Sequence, residues 1–285
     1  MGRLRIGKIP YMNLFPIFST LEKAADCSAY DFIDGVPLFV NRLLRDGRID
    51  VSPSSSIEYL RNREDYILIE DHSISSFGPI GSIFLFSRRR IEELDGATIL
   101  TSSQSETSVA LLDILLRKFI GITCVLKSSD EPLERGISSF PAYLLIGDDA
   151  IRAVKGFSLP ALGGNVSPLT VNSGSSLLHI YDLGENWFRN THLPFVFALW
   201  IARRDCYVRE PHLLVKFKHD LDLAKARALQ NLETLSRESP MKGMLSEEEI
   251  VSYWKGISYD FTGEHRKGLE LFDQYAVELG LIHPG

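Results

Sequence analysis

Short apolar runs alternate with amphipathic segments along most of this 285-residue chain, and this alternation constrains its fold more than any other feature. The apolar runs Arg3–Ile9, Ala97–Thr101 and Ala142–Ile146 predict strands. Residues 109–119 place apolar side chains at the spacing of 3.6 residues that is typical of a helix packed on one face. Strands that alternate with helices in this way predict an α/β fold.

The alternation occurs in two successive sets, which predicts two lobes. The chain is expected to pass between them near residues 86–87 and to return near 195–198. Lobe 1 would then comprise residues 1–87 and 197–285, and lobe 2 residues 88–196. Two lobes joined by two hinge strands, with a ligand cleft between them, are the arrangement of a type II periplasmic-binding-protein-like fold.

Composition and motif content exclude several kinds of partner. The net charge is −6, which argues against a general nucleic-acid surface. The longest apolar run, Phe195–Ala202, is far shorter than the roughly 20 residues that span a bilayer. The N-terminus offers no apolar stretch typical of a signal peptide, so we expect a cytoplasmic protein. The sequence gives no indication of the oligomeric state.

Metal and nucleotide cofactors are also not expected. The three cysteines are far apart and form no paired motif, which argues against a disulfide framework and a zinc site. The histidines are scattered without the spacing of metal ligands, and no glycine-rich phosphate-binding motif follows the first strand. We therefore expect no cofactor and no metal site.

Polar residues follow several predicted strands at their carboxyl ends, where open α/β sheets bind ligands. Helix N-termini beginning near Ser55 and Ser105 would bind carboxylates through backbone N–H groups without needing Lys or Arg. A purely structural role as helix caps stays open for each serine and for Asp148, and a core role stays open for Phe195. The candidate site residues are Asn13, Ser54, Ser55, Ser56, Ser82, Ser105, Thr107, Ser108, Gly147, Asp148 and Phe195.

Six segments of the chain carry a further signal, and in sequence order they are KIPYMNLFP (8–16), IDVSPSSSIEY (49–59), DGATILTSSQSETSV (95–109), LIGDDA (145–150), YDLGENW (181–187) and LPFVFALW (193–200). Together they resemble the chorismate dehydratase family of the futalosine route to menaquinone. The resemblance extends from Gly7 to about Arg204 and is weaker across the C-terminal helices.

The resemblance implies a cofactor-free hydro-lyase, a carbon–oxygen lyase that removes water from chorismate to give 3-[(1-carboxyvinyl)oxy]benzoate. The family's functional Asn falls on Asn13, and its functional Ser falls on Ser82. Because the second loop is unusually rich in serine, the resemblance leaves open which of Ser54, Ser55 and Ser56 contacts the substrate. It also implies that the enolpyruvyl carboxylate of the substrate takes the proton.

Three other functions stay open at this point. A non-catalytic small-anion-binding protein would share the fold, although its exported members carry a signal peptide. The sister enzyme of the pathway, 1,4-dihydroxy-6-naphthoate synthase, has a different first loop and depends on a histidine. A regulatory lobe that binds a metabolite of aromatic biosynthesis is the third.

Overall fold

The protein is represented by a computed structural model that describes residues 2–24, 27–157, 169–173 and 176–283. The strands are β1 (Leu4–Lys8), β2 (Tyr30–Asp34), β3 (Val51–Ser55), β4 (Tyr66–Ser76), β5 (Ile83–Ser87), β6 (Thr98–Ser102), β7 (Val125–Ser129), β8 (Ala142–Ile146), β9 (Leu169–Ser173), β10 (Ser176–Asp182) and β11 (Phe195–Arg203).

Helices cover the faces of the strands and make up most of the C-terminal third. The α-helices are α1 (Phe15–Ala24), α2 (Pro37–Arg45), α3 (Ser56–Arg61), α4 (Glu106–Ile114), α5 (Leu133–Ser139), α6 (Gly147–Gly156), α7 (Leu183–Thr191), α8 (Arg204–Arg209), α9 (Pro211–Gln230), α10 (Leu232–Ser236), α11 (Glu247–Gly256) and α12 (Gly263–Glu278). Short 3₁₀ helices span Cys27–Ala29 and Ile91–Glu93, and a π-helical segment, Leu115–Ile120, continues α4.

The strands form two sheets. The first has the order β2-β1-β3-β11-β4, and β11 is antiparallel to both of its neighbours. The second has the order β7-β6-β8-β5-β10-β9, with β6 parallel to β7 and β8 and with antiparallel pairs from β5 onward. The predicted α/β class is therefore confirmed, with both sheets mixed rather than purely parallel.

The local sequence explains where the main helices begin and end. Ser105 caps α4 by accepting a hydrogen bond from the Ser108 N–H at 3.2 Å. The predicted apolar stripe of this helix is buried at Leu112, Leu115 and Leu116, and the helical segment ends at Gly121, whose φ is +83°. The position of Gly121 follows the general preference for glycine after a helix, because no Cβ opposes a left-handed backbone there.

One predicted loop is partly wrong. The stretch 160–176 is rich in Gly, Ser, Asn and Pro, a composition that predicts mostly loop. Leu169–Ser173 instead forms β9, which pairs antiparallel with β10 at the edge of the second sheet. An edge strand has fewer apolar neighbours than a central strand. Its composition can therefore be as polar as that of a loop. The rest of the stretch lies almost entirely outside the described residues.

The chain passes between the sheets through two short segments, residues 77–82 and 192–194. The predicted boundary after residue 87 assigned β5 to lobe 1, whereas β5 pairs with β8 and β10 in the second sheet. We therefore propose that the crossing lies a few residues earlier than expected. No helix in the described ranges is long and apolar enough to cross a membrane.

Candidate active site

A small cleft with a cavity volume of about 70 Å³ lies between the two sheets. The first sheet and its loops contribute Ile9, Tyr11, Asn13, Leu14, Pro37, Pro53, Ser55, Ile74, Phe197 and Ala198 to its lining. The second sheet and the segment leading into it contribute Ser82, Ile83, Ser105, Ser108, Ile146 and Gly147.

The structure brings part of the predicted site together in this cleft. Among the predicted residues, those in the lining are Asn13, Ser55, Ser82, Ser105, Ser108 and Gly147. They come from widely separated parts of the chain and meet because the strands that precede them end at the same interface. The predicted residues outside the lining are Ser54, Ser56, Thr107, Asp148 and Phe195.

The three consecutive serines have different surroundings. Side chains of a strand alternate between its faces, so Ser55 of β3 points to the cleft and Ser54 to the opposite side, where it is fully buried. The Ser56 hydroxyl donates a hydrogen bond to the Val196 carbonyl at 2.6 Å. Ser55 accepts a hydrogen bond from the Asn41 amide at 3.0 Å, which leaves its own proton for a ligand.

Thr107 and Asp148 join the two lobes beside the cleft. The Thr107 hydroxyl accepts a hydrogen bond from the Ile57 N–H, and the Asp148 carboxylate accepts one from the Met12 N–H, each at 3.0 Å. Burial raises the pKa of the Asp148 carboxyl above its ordinary value, while the Met12 N–H lowers it. Both side chains have partners from the opposite lobe, which is a bridging rather than a ligand-facing arrangement.

Phe195 is part of the aromatic core rather than the cleft. It is fully buried, with its ring centroid 5.0 Å from that of Phe272 and 5.2 Å from that of Trp187. Phe197 lines the cleft instead, and it lies at a register irregularity of β11, between Val196 and Ala198. A bulge of this kind interrupts the strict alternation of side chains between the two faces of a strand. The aromatic residue of β11 that lines the cleft is therefore Phe197, two positions after Phe195.

The N-terminus of α4 presents a short chain of hydroxyls to the cleft. The Ser105 hydroxyl accepts from the Ser108 N–H and lies 3.0 Å from the Ser108 hydroxyl, to which it donates. The Ser108 proton is then available to a ligand. Together with the unpaired N–H groups of the first turn, this arrangement favours an anion such as a carboxylate.

The N-terminus of α6 reaches the cleft at Gly147, where only glycine fits. Its φ is +61°, and a Cβ added there would lie 2.9 Å from the ring of Tyr11. The Gly147 N–H donates to the Ser82 carbonyl at 2.7 Å, which ties the start of α6 to the residue preceding β5. The Tyr11 hydroxyl donates to the Gln104 side-chain carbonyl across the cleft.

Asn13 is held by its backbone, and its side-chain carbonyl is unpaired. The Tyr259 hydroxyl donates to the Asn13 carbonyl at 2.7 Å, and the Trp254 indole N–H donates to the Met12 carbonyl at 2.8 Å. The Asn13 Oδ1 atom is buried and accepts no hydrogen bond from the residues that the structure describes. Because buried acceptors are normally paired, this atom can accept a hydrogen bond from a hydroxyl or N–H group of a ligand.

Ser82 lies opposite these groups in the lining and is almost completely buried. The buried Tyr253 hydroxyl lies near it without a hydrogen bond of ordinary geometry. Burial raises the pKa of the Tyr253 phenol, and the adjacent Ser82 lowers it. Tyr11, Tyr253 and Phe197 were not among the predicted site residues; Tyr11 and Phe197 lie within quoted motifs, but nothing in the sequence connects Tyr253 to the cleft.

The cleft is uncharged and mostly apolar, with a few hydroxyl and amide groups. Among the described residues, those that line it include no Lys, Arg, His, Asp or Glu side chain. Over the same described ranges, no group of three or more His, Cys, Asp or Glu side chains is arranged to hold a metal ion. The cleft can therefore offer a ligand hydroxyl, amide and backbone donors together with aromatic and aliphatic surface.

Comparison with known proteins gives both a family and a fold. A sequence family described as "Menaquinone biosynthesis" matches residues 4–278. The chain is 33% identical over 200 residues to chorismate dehydratase of Thermus thermophilus, which covers 70% of each protein.

Solved structures at low identity share the fold. A protein from Archaeoglobus fulgidus superposes with a TM-score of 0.76 at 17% identity and 98% coverage of both chains. The alkanesulfonate-binding protein of Xanthomonas axonopodis pv. citri, bound to MOPS, superposes with a TM-score of 0.68 at 13% identity, covering 100% of this chain and 95% of that one. The periplasmic-binding-protein-like fold is thus confirmed, and the chain belongs to the menaquinone biosynthesis family and is related to chorismate dehydratase.

Proposed function

We propose that this protein is a chorismate dehydratase, a hydro-lyase that works in the cytoplasm and converts chorismate into 3-[(1-carboxyvinyl)oxy]benzoate and water. The observation that supports this most directly is the membership in the menaquinone biosynthesis family together with the relationship to chorismate dehydratase. The uncharged cleft with its serine hydroxyls is consistent with it, because the substrate is a dianion that can provide its own base.

Neutral donors at two helix N-termini would bind the two carboxylates of chorismate. The start of α4 offers the Ser108 hydroxyl and free N–H groups, and the start of α6 offers its first-turn N–H groups next to Gly147. Ser55 adds a hydroxyl that already accepts a hydrogen bond from Asn41, so its proton is available to a carboxylate. Phe197 and the aliphatic lining would pack against the ring.

The reaction balances without an added reagent. The C3 proton moves to the enolpyruvyl carboxylate of the substrate, and the electrons of the C3–H bond form the C3–C4 double bond. The C4–O bond breaks, and the hydroxyl leaves as water after taking up that proton. Ring aromatisation favours the products, so the protein needs mainly to orient the substrate and stabilise the charge that develops on the ring carboxylate.

Asn13 and Ser82 would act as positioning and hydrogen-bonding groups in this reaction. The unpaired Asn13 Oδ1 can accept a hydrogen bond from the C4 hydroxyl and hold it for departure. Ser82, across the cleft, can donate its proton to a substrate oxygen that becomes more negative in the transition state. An amide and an aliphatic hydroxyl are poor bases, which is why the proton acceptor is assigned to the substrate.

The direct test is to incubate purified, metal-free protein with chorismate and to follow the products by mass spectrometry. We expect loss of one water without any added cofactor. Chorismate that binds and remains unchanged would contradict the proposal and support a small-anion-binding protein of the same fold.

The roles of the two residues are tested by Asn13→Ala and Ser82→Ala. Each variant should stay folded and lose about 100-fold in kcat, the usual consequence of removing a group that stabilises the transition state. Circular dichroism and thermal unfolding check the fold. Rates close to those of the unmodified protein in both variants would remove these residues from the mechanism.

A further inference from the structure

The segment that carries Ser82 lacks regular structure of its own. Residues 77–82 cross from β4 to β5, and Gly78 and Gly81 have φ values of +113° and +72° in the left-handed region. A crossing with two such glycines has large conformational freedom in isolation. Some other part of the molecule must fix it before Ser82 can have one position in the cleft.

Asp182 supplies that constraint. Its carboxylate accepts hydrogen bonds from the Ile80 N–H at 3.1 Å and from the Gly81 N–H at 2.7 Å, directly before Ser82. One oxygen also accepts from the Glu185 N–H at 3.1 Å, which caps α7. Asp182 is the last residue of β10 and lies opposite Phe84 of β5, so its own position is fixed by the second sheet.

The crossing segment also packs closely against the start of α7, beside the Asp182 carboxylate. A Cβ added at Gly184, in the first turn of α7, would lie 2.6 Å from the Gly78 carbonyl and 2.8 Å from the Ser76 hydroxyl. The Ser76 hydroxyl donates to that same carbonyl at 2.7 Å. The YDLGENW motif is therefore the surface against which the crossing segment is packed, a role that the proposed chemistry of the cleft does not by itself require.

Capping of α7 alone does not require a carboxylate. Asn and Ser cap helices about as well as Asp, without the cost of burying a charge. Asp182 is 5% exposed, and none of the described Lys, Arg or His side chains forms an ion pair with it. Burial raises the pKa of this carboxyl to about 6, although the N–H donors around it lower it. Its distinctive capacity is to accept hydrogen bonds from both crossing-segment N–H groups and the helix at once.

We propose that Asp182 is a positioning residue of the active site, which holds the backbone of residues 80–81 so that the Ser82 hydroxyl faces the cleft. This inference rests on the proposed function for the role of Ser82. Asp182 acts through Ser82 and does not itself contact the substrate.

The test is a double-mutant cycle of Asp182→Asn and Ser82→Ala, measured with chorismate. The amide side chain of the first variant can still cap α7 through its oxygen, but its NH₂ group cannot accept the hydrogen bond from the Gly81 N–H. We expect kcat to fall at least 10-fold in D182N with less than a 3-fold change in KM. In the S82A background, D182N should lower kcat by less than 2-fold, because the group that it positions is already absent.

The control variant is Leu213→Ala, a buried truncation in α9 away from the cleft, which should lower the unfolding temperature and leave kcat unchanged. A loss of kcat in L213A as large as that in D182N would overturn the inference, since general destabilisation would then explain both. Independent, multiplying losses from D182N and S82A would also overturn it.

A substrate-free measurement separates this inference from the proposed function. Hydrogen exchange of the Gly81 amide, followed by NMR, should be slow in the unmodified protein and at least 10-fold faster in D182N, relative to amides of β5. Unchanged exchange would overturn the positioning role whether or not chorismate is the substrate. Full activity of S82A, with the exchange difference present, would instead count against the proposed function of Ser82.

Discussion

At the scale of single residues, adjacent serines of β3 provide an internal comparison. Ser55 lines the cleft, whereas Ser54 is buried on the other face, where its hydroxyl has no hydrogen-bond partner among the described residues. We expect Ser55→Ala to raise KM for chorismate roughly 10-fold or more, the loss of one hydrogen bond to a charged group. Steady-state kinetics across chorismate concentrations will measure this.

Ser54→Ala is the matched control. Removing a buried hydroxyl that makes no hydrogen bond should leave KM unchanged and should leave the unfolding temperature equal or slightly higher. Ser55→Ala should in contrast lower the unfolding temperature modestly, because the Asn41 amide loses its acceptor. If S54A raised KM more than S55A, the face of β3 that carries Ser54 would be the one that contacts the substrate, and the prediction would be wrong.

The same strand geometry shows how much of the site the sequence could predict. The positions of Asn13, Ser82 and the start of α4 followed from loops at strand ends and from the family motifs. The choice among Ser54, Ser55 and Ser56 required the register of β3 against β11. The exchange of Phe195 for Phe197 required the irregularity in β11, which depends on its pairing with β4 and leaves no local signal in the sequence.

At the scale of elements, α6 begins at a position that only glycine fills without strain. Gly147→Ala would force a left-handed alanine, at a cost of about 1–2 kcal/mol, and would displace the Tyr11 ring. We expect kcat/KM for chorismate to fall about 10-fold, since a shift of one ångström in a site commonly costs that much or more. Denaturant unfolding and steady-state kinetics measure the two effects.

Gly156→Ala at the other end of α6 is the control. Gly156 has no positive φ, and no atom of the described residues lies within 4 Å of a Cβ added there. This variant should change stability by less than about 1 kcal/mol, in the stabilising direction, and leave kinetics unaltered. If both substitutions reduced activity equally, the specific fit of Gly147 against Tyr11 would not be the cause.

Elements with a strong local pattern were predictable, and those defined by pairing were not. The strands β6 and β8 are found close to their predicted bounds because each is a short apolar run, and the helix α4 because its apolar residues recur at helical spacing. The edge strand β9 has a polar composition and exists only through its pairing with β10. In the C-terminal third, the helical stretch is divided at Asn231 into α9 and α10, and buried apolar residues continue across the break.

At the scale of the whole molecule, His72 makes stability depend on pH. His72 of β4 is 2% exposed and lies 2.7 Å from the Asp222 carboxylate, with Lys218 and Lys225 nearby. Burial lowers the pKa of His72 to about 4, against the opposing effect of Asp222. Between pH 6.5 and 4 the unfolded chain therefore binds a proton that the folded protein does not, so the free energy of unfolding decreases as the pH falls.

We expect the unmodified protein to lose about 3 kcal/mol relative to His72→Gln between pH 7 and pH 4, measured by urea unfolding at several pH values. The comparison with the variant cancels the contribution of Asp182 to the pH dependence, because that contribution is the same in both proteins. The pKa of Asp182 is raised to about 6 in the folded protein, which keeps a proton that the unfolded chain has lost. Asp182 therefore increases the free energy of unfolding as the pH falls, opposite to the effect of His72. If the free energies of unfolding of the two proteins changed in parallel with pH, the pKa of His72 would be the same in the folded and unfolded states. That result would contradict the prediction.

The insertion of β11 between β3 and β4 has a consequence for synthesis on the ribosome. The strands of the second sheet all lie between residues 83 and 182, so that sheet can be complete before Phe195 has left the exit tunnel. Until β11 is available, β3 has one unpaired edge and β4 lacks the strand with which it pairs in the sheet. The amino-terminal half of the protein is therefore the part that most needs protection from aggregation during translation, although it is made first.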